Sequence, residues 1–295
     1  NLKDNPTVNI ATIQMNYPSE SKWESSQSDI FDENYDMTLT AIENGAQIII
    51  WPETTITSPL EGTSYYFNLM QLAEQKHVCI FVGGFRQDEE FRLYNSIYGF
   101  FPDRQNVTYY NKRQLIPFGE FLPFEDFLNK FEVFQQLNLA DNSITRGNKS
   151  VVFETEYGNF SGLICFDSLF QRFSYESVRK GAQVLFVVTN DSWYIDSQSI
   201  HQHYGHAVLR AVENNRYLIR SANAGVSGVI SSTGRTIQDL PTHTSGYILK
   251  KVPLNNQKTL YTLTGDVIAY IALGAILAAF IYFRFFVKIK LLISA

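Results

Sequence analysis

The sequence predicts one α/β domain followed by an apolar helix near its C-terminal end. Two observations support this prediction. Short apolar segments alternate with segments of helical periodicity between Asn9 and Val252, which is the pattern of α/β folds. After them, 17 residues from Val267 to Phe283 carry no charge. We therefore assign residues 1–258 to the domain and residues 259–295 to a terminal helix with a short basic tail.

The composition fits a folded protein and argues against two other classes. With 295 residues, 45% of them hydrophobic, the chain can form one large α/β domain or two small ones. The formal net charge is −5 and the folded part has no basic cluster, so nothing favours a nucleic-acid partner. The two cysteines, Cys79 and Cys165, are too few for a disulfide framework.

In the first half of the chain, strands and helices are predicted in alternation. Apolar side chains at helical spacing indicate a helix at residues 31–42, with Gly45 as its stop. A continuous apolar run at residues 46–51 predicts a buried strand that ends at Pro52. The other predicted segments are strands at 9–15, around Cys79, at 93–101 and at 107–110, and a helix at 66–76.

The second half continues the alternation after one unusual segment. Residues 118–137 place several phenylalanines on one helical face, which predicts either an arm over the site or a helix packed on the domain. An apolar strand leads to Cys165, and a segment of helical character follows from Ser168 to Lys180. Further predicted segments are strands at 151–153, 184–188, 216–223, 226–231 and 246–252, and a helix at 200–214.

The apolar segment near the C-terminus has the length of a membrane span. If Arg284 extends its charged end to the interface, Val267 to Val287 makes a helix of about 31 Å, enough to cross a bilayer. The alternative is a long buried core helix. Lysines and arginines lie on both sides of the segment, so charge does not fix its orientation.

Three polar residues stand where apolar strands end: Glu53, Lys112 and Cys165. Side chains at strand ends of α/β folds leave the core for a crevice, where functional sites are found. A carboxylate, an amine and a thiol together suffice for acyl transfer. In this hypothesis Glu53 takes the thiol proton, Cys165 attacks, and Lys112 stabilises the negative charge of the intermediate. Singly, Glu53 and Lys112 resemble ordinary surface charges, so the hypothesis depends on all three.

Cys165 lies at the junction between a strand and a helical segment, where backbone N–H groups favour an anion. We expect this position to lower the pKa of the thiol and to offer an oxyanion site. From reference pKa values, proton transfer from a cysteine thiol to a glutamate carboxylate is uphill by about 5.7 kcal/mol, a gap that the site must narrow. The alternative is a core cysteine without a function, since free cysteines are among the most buried residues.

The histidines His201, His203 and His206 suggest a competing hypothesis, a metal site. On one helix only His203 and His206 share a face, and no cysteine or acidic residue has a ligand-like spacing. We therefore predict neither a metal nor another cofactor. A dyad of Cys165 with one of these histidines stays open, although no motif supports it.

Several segments resemble the Glu–Lys–Cys motifs of the nitrilase superfamily. They are Trp51-Pro52-Glu53-Thr54, Asn111-Lys112 and Gly162-Leu163-Ile164-Cys165-Phe166-Asp167. Other segments narrow the resemblance to the apolipoprotein N-acyltransferase family, and it extends from about Asn9 through the final helix. These are Pro117 to Pro123, Thr189 to Tyr194, Gln202-His203, Arg210 to Arg216 and Arg220 to Ser227.

This resemblance implies a nitrilase-like α-β-β-α sandwich followed by one C-terminal transmembrane helix. It also implies a ping-pong reaction. A fatty acyl chain moves from a phospholipid to Cys165 as a thioester, and then to the N-terminal amine of a diacylglyceryl-cysteine lipoprotein. The implied partners are the phospholipid donor, the lipoprotein acceptor and the membrane. The implied location is the bacterial inner (cytoplasmic) membrane, with the catalytic domain on the periplasmic side.

The resemblance also assigns roles to further residues. Besides nucleophile Cys165, base Glu53 and oxyanion stabiliser Lys112, it gives Glu120 the place of a second essential glutamate.

Three more positions correspond to positions of the family, and two of them carry a different residue. Trp23 corresponds to a tryptophan on the substrate side, and Phe166 stands at a substrate-binding position where tyrosine is common. Asp167 takes the supporting place usually held by glutamate and is one methylene shorter, so its contacts must be rearranged.

Two other functional classes are compatible with these residues. One is a membrane-tethered nitrilase-type amidase acting on small amides, which hydrolysis of a small amide would support. The other is a membrane protein that uses the fold as a binding module, which an unreactive Cys165 would support. The complete set of Glu53, Lys112 and Cys165 argues against the second.

The chain begins at Asn1 rather than Met, and its final helix predicts further helices upstream. Small residues lie four apart at Gly274 and Ala278 and again at Ala275 and Ala279, a spacing that allows another helix to approach closely. We therefore expect additional transmembrane helices to precede Asn1 in the complete protein.

Overall fold

The computed structural model of the protein describes residues 5–17, 26–104, 107–124, 144–194 and 197–284. In these residues two β-sheets pack face to face and carry helices on their outer surfaces, so the predicted α-β-β-α layers are present. The predictions for Trp23, for a helix at 125–137 and for the tail beyond residue 284 lie outside the described residues.

The described residues contain thirteen strands. In the first half of the chain they are β1 (Thr7–Gln14), β2 (Ile48–Ile50), β3 (Ile56–Pro59), β4 (Cys79–Gln87), β5 (Leu93–Phe100) and β6 (Thr108–Asn111). In the second half they are β7 (Phe153–Thr155), β8 (Gly158–Ile164), β9 (Val184–Asn190), β10 (Tyr217–Asn223), β11 (Ser227–Ile230), β12 (Thr236–Leu240) and β13 (Gly246–Pro253). Of these, β3 and β12 were not predicted from the sequence.

The strands form two sheets of similar design. The first has the order β13-β1-β2-β4-β5-β6, with β3 beside β4, and the second has the order β12-β11-β10-β9-β8-β7. In each sheet, parallel strands occupy the middle and antiparallel strands the edges. Middle strands are covered on both faces, which is why β2 and β9 consist almost entirely of buried apolar residues.

Four helices cover the outer faces of the sheets. They are α1 (Gln27–Glu43) and α2 (Ser64–Lys76) on the first sheet, and α3 (Gln171–Arg179) and α4 (Gln198–Asn214) on the second. Side chains alternate between layers along each strand. Ile48 and Ile50 point into the core between the sheets, whereas Ile49 packs against the helices. Across that inner core the rings of Phe81 and Phe186 stack at 4.8 Å.

The helix predicted from residue 118 is wrong for residues 118–124. These residues form turns and an isolated bridge between Pro117 and Phe121. Phe118 and Phe124 have φ of 62° and 55°, the left-handed conformation that an α-helix of L-residues excludes. The turn brings Glu120 back towards the ends of the strands, where its carboxylate finds partners.

Two more helices follow the domain: α5 (Leu260–Thr264) and α6 (Val267–Tyr282). Every residue of α6 is exposed, although its sequence is apolar throughout. Among the described residues, no helix is both long and apolar enough to cross a membrane. The predicted span to Val287 runs past the described residues.

Side-chain hydrogen bonds fix the segment before α6 to the domain. The buried Arg216 guanidinium donates to the carbonyls of Ala182, Asn215 and Gln257. Burial lowers the pKa of Arg216 to about 10, which leaves the guanidinium charged at neutral pH. At the start of α6, Gln171 Nε2 lies 3.2 Å from both carboxylate oxygens of Asp266. The beginning of α6 is therefore held against α3.

Candidate active site

Glu53 and Lys112, predicted as site residues, meet at the ends of the first-sheet strands together with Glu120. Lys112 Nζ lies 3.0 Å from Glu53 Oε1 and 2.7 Å from Glu120 Oε1. Glu53 follows β2, Lys112 follows β6, and Glu120 lies in the turn after it. Lys112 is only 1% exposed, so its charge depends on the two carboxylates. We call these three residues the Lys112 cluster.

Two asparagines orient Glu53. Asn95 Nδ2 donates to Glu53 Oε1 at 2.7 Å, and the Asn190 backbone N–H donates to Oε2 at 2.8 Å. Asn95 belongs to the first sheet and Asn190 to the second, so Glu53 is held from both. Gly83 allows β4 to lie against this segment, because a Cβ there would be 2.2 Å from the Pro52 carbonyl oxygen.

Cys165 is the first residue after β8 and begins a 3-10 helix, Cys165–Leu169. Its φ of 45° lies in the left-handed region, which costs a non-glycine residue about 1–2 kcal/mol. The Cys165 carbonyl oxygen accepts a hydrogen bond from Ser168 Oγ at 2.7 Å. The surrounding contacts therefore maintain a conformation that the chain would not adopt alone, and Cys165 is buried there.

The expectation that the pKa of the Cys165 thiol is lowered is wrong. Burial raises this pKa, and the Glu53 carboxylate raises it further. Lys112 and the Thr189 hydroxyl act in the opposite direction without offsetting these effects. Cys165 is therefore a neutral thiol at rest, beside a cation and a carboxylate.

Lys112 stays charged in this buried position. Burial lowers the pKa of its ammonium group, but Glu53, Cys165 and Glu120 raise it, and the net result is a pKa above the ordinary value. A permanent positive charge next to the thiol can stabilise negative charge that develops during a reaction.

Asp167 supports the segment that carries Lys112. Its carboxylate accepts hydrogen bonds from the Tyr110 hydroxyl at 2.9 Å and from the backbone N–H groups of Gln114 at 2.7 Å and Arg113 at 3.2 Å. These donors lie on both sides of Lys112 in the chain. A fourth donor is the Ile164 N–H at 3.1 Å. Asp167 thus connects the Cys165 turn to the strand end that carries Lys112.

The two residues predicted to bind substrate differ in what the structure describes. Phe166 is partly buried, packs against the core between the sheets, and contacts Phe170 edge to face at 5.6 Å. Trp23 lies outside the described residues. A role in substrate binding is a prediction for both.

Three buried residues that sequence reasoning did not assign to the site form a second cluster beside Cys165. His203 Nδ1 lies 2.9 Å from Asp191 Oδ1, and Arg220 Nη2 lies 2.7 Å from Asp191 Oδ2. His203 Nε2 lies 3.1 Å from the Cys165 carbonyl oxygen. We call Asp191, His203 and Arg220 the His203 cluster. The sequence signal for it was their presence in the segments that carry the family resemblance.

In the part of the chain that the structure describes, the histidines do not belong to a set of metal ligands. There, no group of three or more His, Cys, Asp and Glu side chains is placed to hold a metal ion. The ring nitrogens of His203 contact Asp191, Arg220, Ser168 and the Cys165 main chain.

The arrangement has the parts that acyl substitution requires. A thiol at a strained turn can attack a carbonyl carbon, a fixed carboxylate can accept its proton, and a buried cation can stabilise the oxyanion. Comparison with known proteins identifies the family of the chain. Residues 9–260 match the family described as Carbon-nitrogen hydrolase, and the chain belongs to this family.

Among its relatives the chain resembles apolipoprotein N-acyltransferases. It is 30% identical over 262 residues to the protein of that name from Brucella suis biovar 1 (strain 1330), covering 85% of this chain and 49% of the relative. It is 31% identical over 285 residues to the one from Shewanella oneidensis (strain MR-1), covering 92% and 54%. The chain thus spans about half the length of the curated relatives it matches.

Solved structures share the fold at low sequence identity. The C. elegans NitFhit protein has a TM-score of 0.67 at 17% identity, covering 90% of this chain and 64% of that one. A mutant amidase of the nitrilase superfamily from Nesterenkonia AN1 has a TM-score of 0.65 at 16% identity, covering 90% and 96%. These similarities show the nitrilase-like fold.

Proposed function

We propose that the protein transfers a fatty acyl chain from a phospholipid to the N-terminal amine of a diacylglyceryl-cysteine lipoprotein through a thioester on Cys165. The observation that carries this proposal is the buried Glu53–Lys112 pair, 3.0 Å apart, beside a strained cysteine. It occurs in a chain whose relatives are named apolipoprotein N-acyltransferase. The named relatives suggest the substrates, and the site geometry suggests the chemistry.

In the first half-reaction Cys165 Sγ attacks the carbonyl carbon of a phospholipid ester. Because the resting thiol is neutral, Glu53 takes the proton while the C–S bond forms. Lys112 stabilises the negative charge on the carbonyl oxygen of the tetrahedral intermediate. The intermediate collapses by breaking the C–O bond, and the proton on Glu53 passes to the departing oxygen. The products are a lysophospholipid and an acyl thioester on Cys165.

In the second half-reaction the α-amine of the lipoprotein attacks the thioester carbonyl carbon. Glu53 accepts a proton from the amine, and Lys112 again stabilises the oxyanion. The C–S bond breaks, the amide forms, and the proton on Glu53 returns to Cys165. Ester and thioester have similar free energies, whereas an amide is more stable than a thioester, so the second half-reaction drives the cycle.

The lipid donor agrees with the apolar surface around the site. Phe118 and Phe124 are 65% and 83% exposed in the chain around Glu120, and Trp193 is 62% exposed just after Asn190. Exposed aromatic groups of this kind favour contact with acyl chains or a lipid interface. We propose that α6 and these rings face the bacterial inner membrane, with the catalytic domain on the periplasmic side.

The test is acyl loading of the complete protein. Incubated with phosphatidylethanolamine and no acceptor, it should gain one fatty acyl mass on Cys165 that hydroxylamine removes. Adding a diacylglyceryl-cysteine peptide should discharge the adduct and yield the N-acylated peptide. Mass spectrometry of the intact protein and of the peptide measures both steps.

A matched pair of cysteine variants controls this experiment. Cys165→Ala should abolish loading. Cys79→Ala should retain it, because Cys79 lies inside the core, and the charges that act on its thiol are Glu156, Asp103 and Arg104, not Glu53 and Lys112. Hydrolysis of small amides without an adduct from phospholipid would replace the proposal with the amidase alternative.

A further inference from the structure

The imidazole of His203 connects a buried carboxylate to the main chain of Cys165. Nδ1 lies 2.9 Å from Asp191 Oδ1 and 3.0 Å from Arg220 Nη2, and Nε2 lies 3.1 Å from the Cys165 carbonyl oxygen. A carbonyl oxygen can only accept a hydrogen bond, so this contact requires a hydrogen on Nε2. The groups on both sides of the ring are buried, and water does not compete for these bonds.

Asp191 is itself fixed, which makes it a firm support for the ring. Its carboxylate accepts from Arg220 Nη2 at 2.7 Å and from Thr189 Oγ1 at 2.9 Å. Burial opposes its ionisation, yet Arg220 and His203 hold the pKa of Asp191 below its ordinary value. On its other side Gly225 leaves only enough room for the carboxylate, because a Cβ there would be 2.4 Å from Asp191 Oδ2.

The carbonyl that His203 contacts belongs to the peptide plane between Cys165 and Phe166. In a trans peptide the C=O and the following N–H point in opposite directions, so fixing the carbonyl also fixes the Phe166 N–H. Cys165 has a φ of 45°, an orientation that needs external support. Two donors supply it: His203 Nε2, and Ser168 Oγ at 2.7 Å.

We propose that His203, held by Asp191 and Arg220, is a positioning residue that aligns the Cys165–Phe166 peptide so that the Phe166 N–H faces the oxyanion formed during acyl transfer. This inference rests on the proposed attack by Cys165, and what it adds is the support that the His203 cluster gives to the main-chain oxyanion donor. A hydrogen bond to the carbonyl also polarises the peptide and strengthens its N–H as a donor. His203 thus acts through the main chain and not as the base.

Two reactions of the same thiol distinguish positioning from a general structural role. Acylation by a p-nitrophenyl ester forms an oxyanion, whereas alkylation by iodoacetamide is a direct displacement and forms none. In the complete protein, His203→Phe should slow the p-nitrophenolate burst by about tenfold or more, since losing an oxyanion donor outright costs about 10²–10³-fold. KM for the ester and the rate of Cys165 alkylation should stay within about twofold of the wild type, because only the oxyanion loses a donor.

Three further variants complete the test. His203→Gln keeps an N–H donor on a side chain of similar length and should recover most of the burst rate. Ser168→Ala removes the other donor to the carbonyl and should slow the burst in the same way, even if His203→Phe does not fold. His201→Phe, the same substitution at an exposed position of α4, should change nothing.

Each failure has its own signature. A wild-type burst rate in both His203→Phe and Ser168→Ala would overturn the inference, as would a parallel fall in acylation and alkylation. The proposed function fails separately: the wild type would react with the p-nitrophenyl ester but form no adduct from phospholipid. In that case the effect of His203 on the ester reaction still decides the inference.

Discussion

Two buried charged clusters meet at Cys165, and they differ in what their hydrogen bonds hold. The Lys112 cluster places one cation between two carboxylates, and the charges of Glu53 and Lys112 act on the Cys165 thiol. The His203 cluster pairs one carboxylate with Arg220 and an imidazole, and the imidazole contacts the main chain of Cys165. In the proposed reaction the first cluster exchanges protons with the reactants, whereas the second positions the main chain of Cys165.

The two clusters also come from different sheets. Residues at the ends of first-sheet strands and in the turn after them supply the Lys112 cluster, while β10, α4 and the turn after β9 supply the His203 cluster. They are joined where the Asn190 N–H donates to Glu53 Oε2 at 2.8 Å, one residue before Asp191. The groups of the proposed proton transfer thus come from the first sheet, and the groups of the proposed alignment of Cys165 come from the second. Variants in each cluster should therefore fail in different ways.

The largest expected effect is that of Glu53→Gln. The amide cannot accept the thiol proton, so turnover should fall by about 10²–10⁴-fold, the usual contribution of a general base. Steady-state acylation kinetics measure the loss. Glu61→Gln, the same change at a carboxylate outside both clusters, should leave the rate unaltered. If Glu53→Gln reacts at nearly the wild-type rate, the Lys112 cluster does not carry out the proton transfer.

The second largest effect is expected for Lys112→Met, which should lower the stability of the protein as well as the reaction rate. Removing the cation leaves the buried Glu53 and the partly buried Glu120 without the positive charge between them, a situation that costs about 3–5 kcal/mol. Urea unfolding of the complete protein gives the change in free energy, and exposed Lys251→Met is the matched control. Unchanged stability would mean that the two carboxylates do not depend on Lys112.

Asp167 lies beside the Lys112 cluster and should give the stability of the protein an unusual pH dependence. Burial raises its pKa from 3.8 to about 6, although Lys112 and its hydrogen-bond donors oppose this. The folded state therefore binds the proton more tightly than the unfolded state. The resulting stability is fully present below pH 3.8 and is lost as the pH rises through 6, a total of roughly 3 kcal/mol.

Asp167→Asn removes this pH dependence and supplies the measurement. Between about pH 4.5 and 7, wild-type stability relative to the variant should fall by about 2 kcal/mol, since most of the titration lies in this range. At neutral pH the variant should also turn over more slowly than Asp167→Glu, because an amide N–H would face the donors that a carboxylate accepts. A stability difference that is independent of pH would contradict the titration.

The smallest expected effect is that of a substitution at Gly225, which packs against the Asp191 carboxylate of the His203 cluster. Gly225→Ala places a methyl group 2.4 Å from Asp191 Oδ2, and Arg220 and His203 prevent the carboxylate from moving away. We expect a loss of about 1–3 kcal/mol from this overpacking, measured by thermal unfolding. Gly205→Ala in α4 meets nothing within 4 Å and should be neutral or slightly stabilising. Equal melting temperatures for the two variants would show that Asp191 is not held in place.

The sequence predicted the catalytic candidates better than their surroundings. Glu53, Lys112 and Cys165 stand at the ends of apolar runs, a signal that neighbouring residues carry. Asn95 gives no such signal, because it lies within a strand and meets Glu53 only through a contact 42 residues away. The predicted direction of the pKa shift of the Cys165 thiol was wrong for the same reason. It depends on burial by distant segments and on a carboxylate from the other sheet.

The elements show a similar division. Long apolar or strongly periodic segments, such as β9 and α4, were predicted within a few residues. The strand β3 was missed because it contains Ser58 and Pro59 and pairs over only a short, irregular register with β4. Residues 118–124 were predicted as helix from aromatic spacing alone, whereas the contacts of Glu120 with Lys112 and with the Ile116 N–H favour a turn there.

The pairing of β1 with β13 has a consequence for synthesis. These strands pair along their whole length, from Thr7 with Pro253 to Gln14 with Gly246. A ribosome adding about 5–20 residues per second needs roughly 10–50 s to proceed from one strand to the other. During that interval β1 offers an unsatisfied, largely apolar edge to other nascent chains. Slower elongation should therefore increase aggregation of newly made protein, and chaperones that cover exposed strands should reduce it.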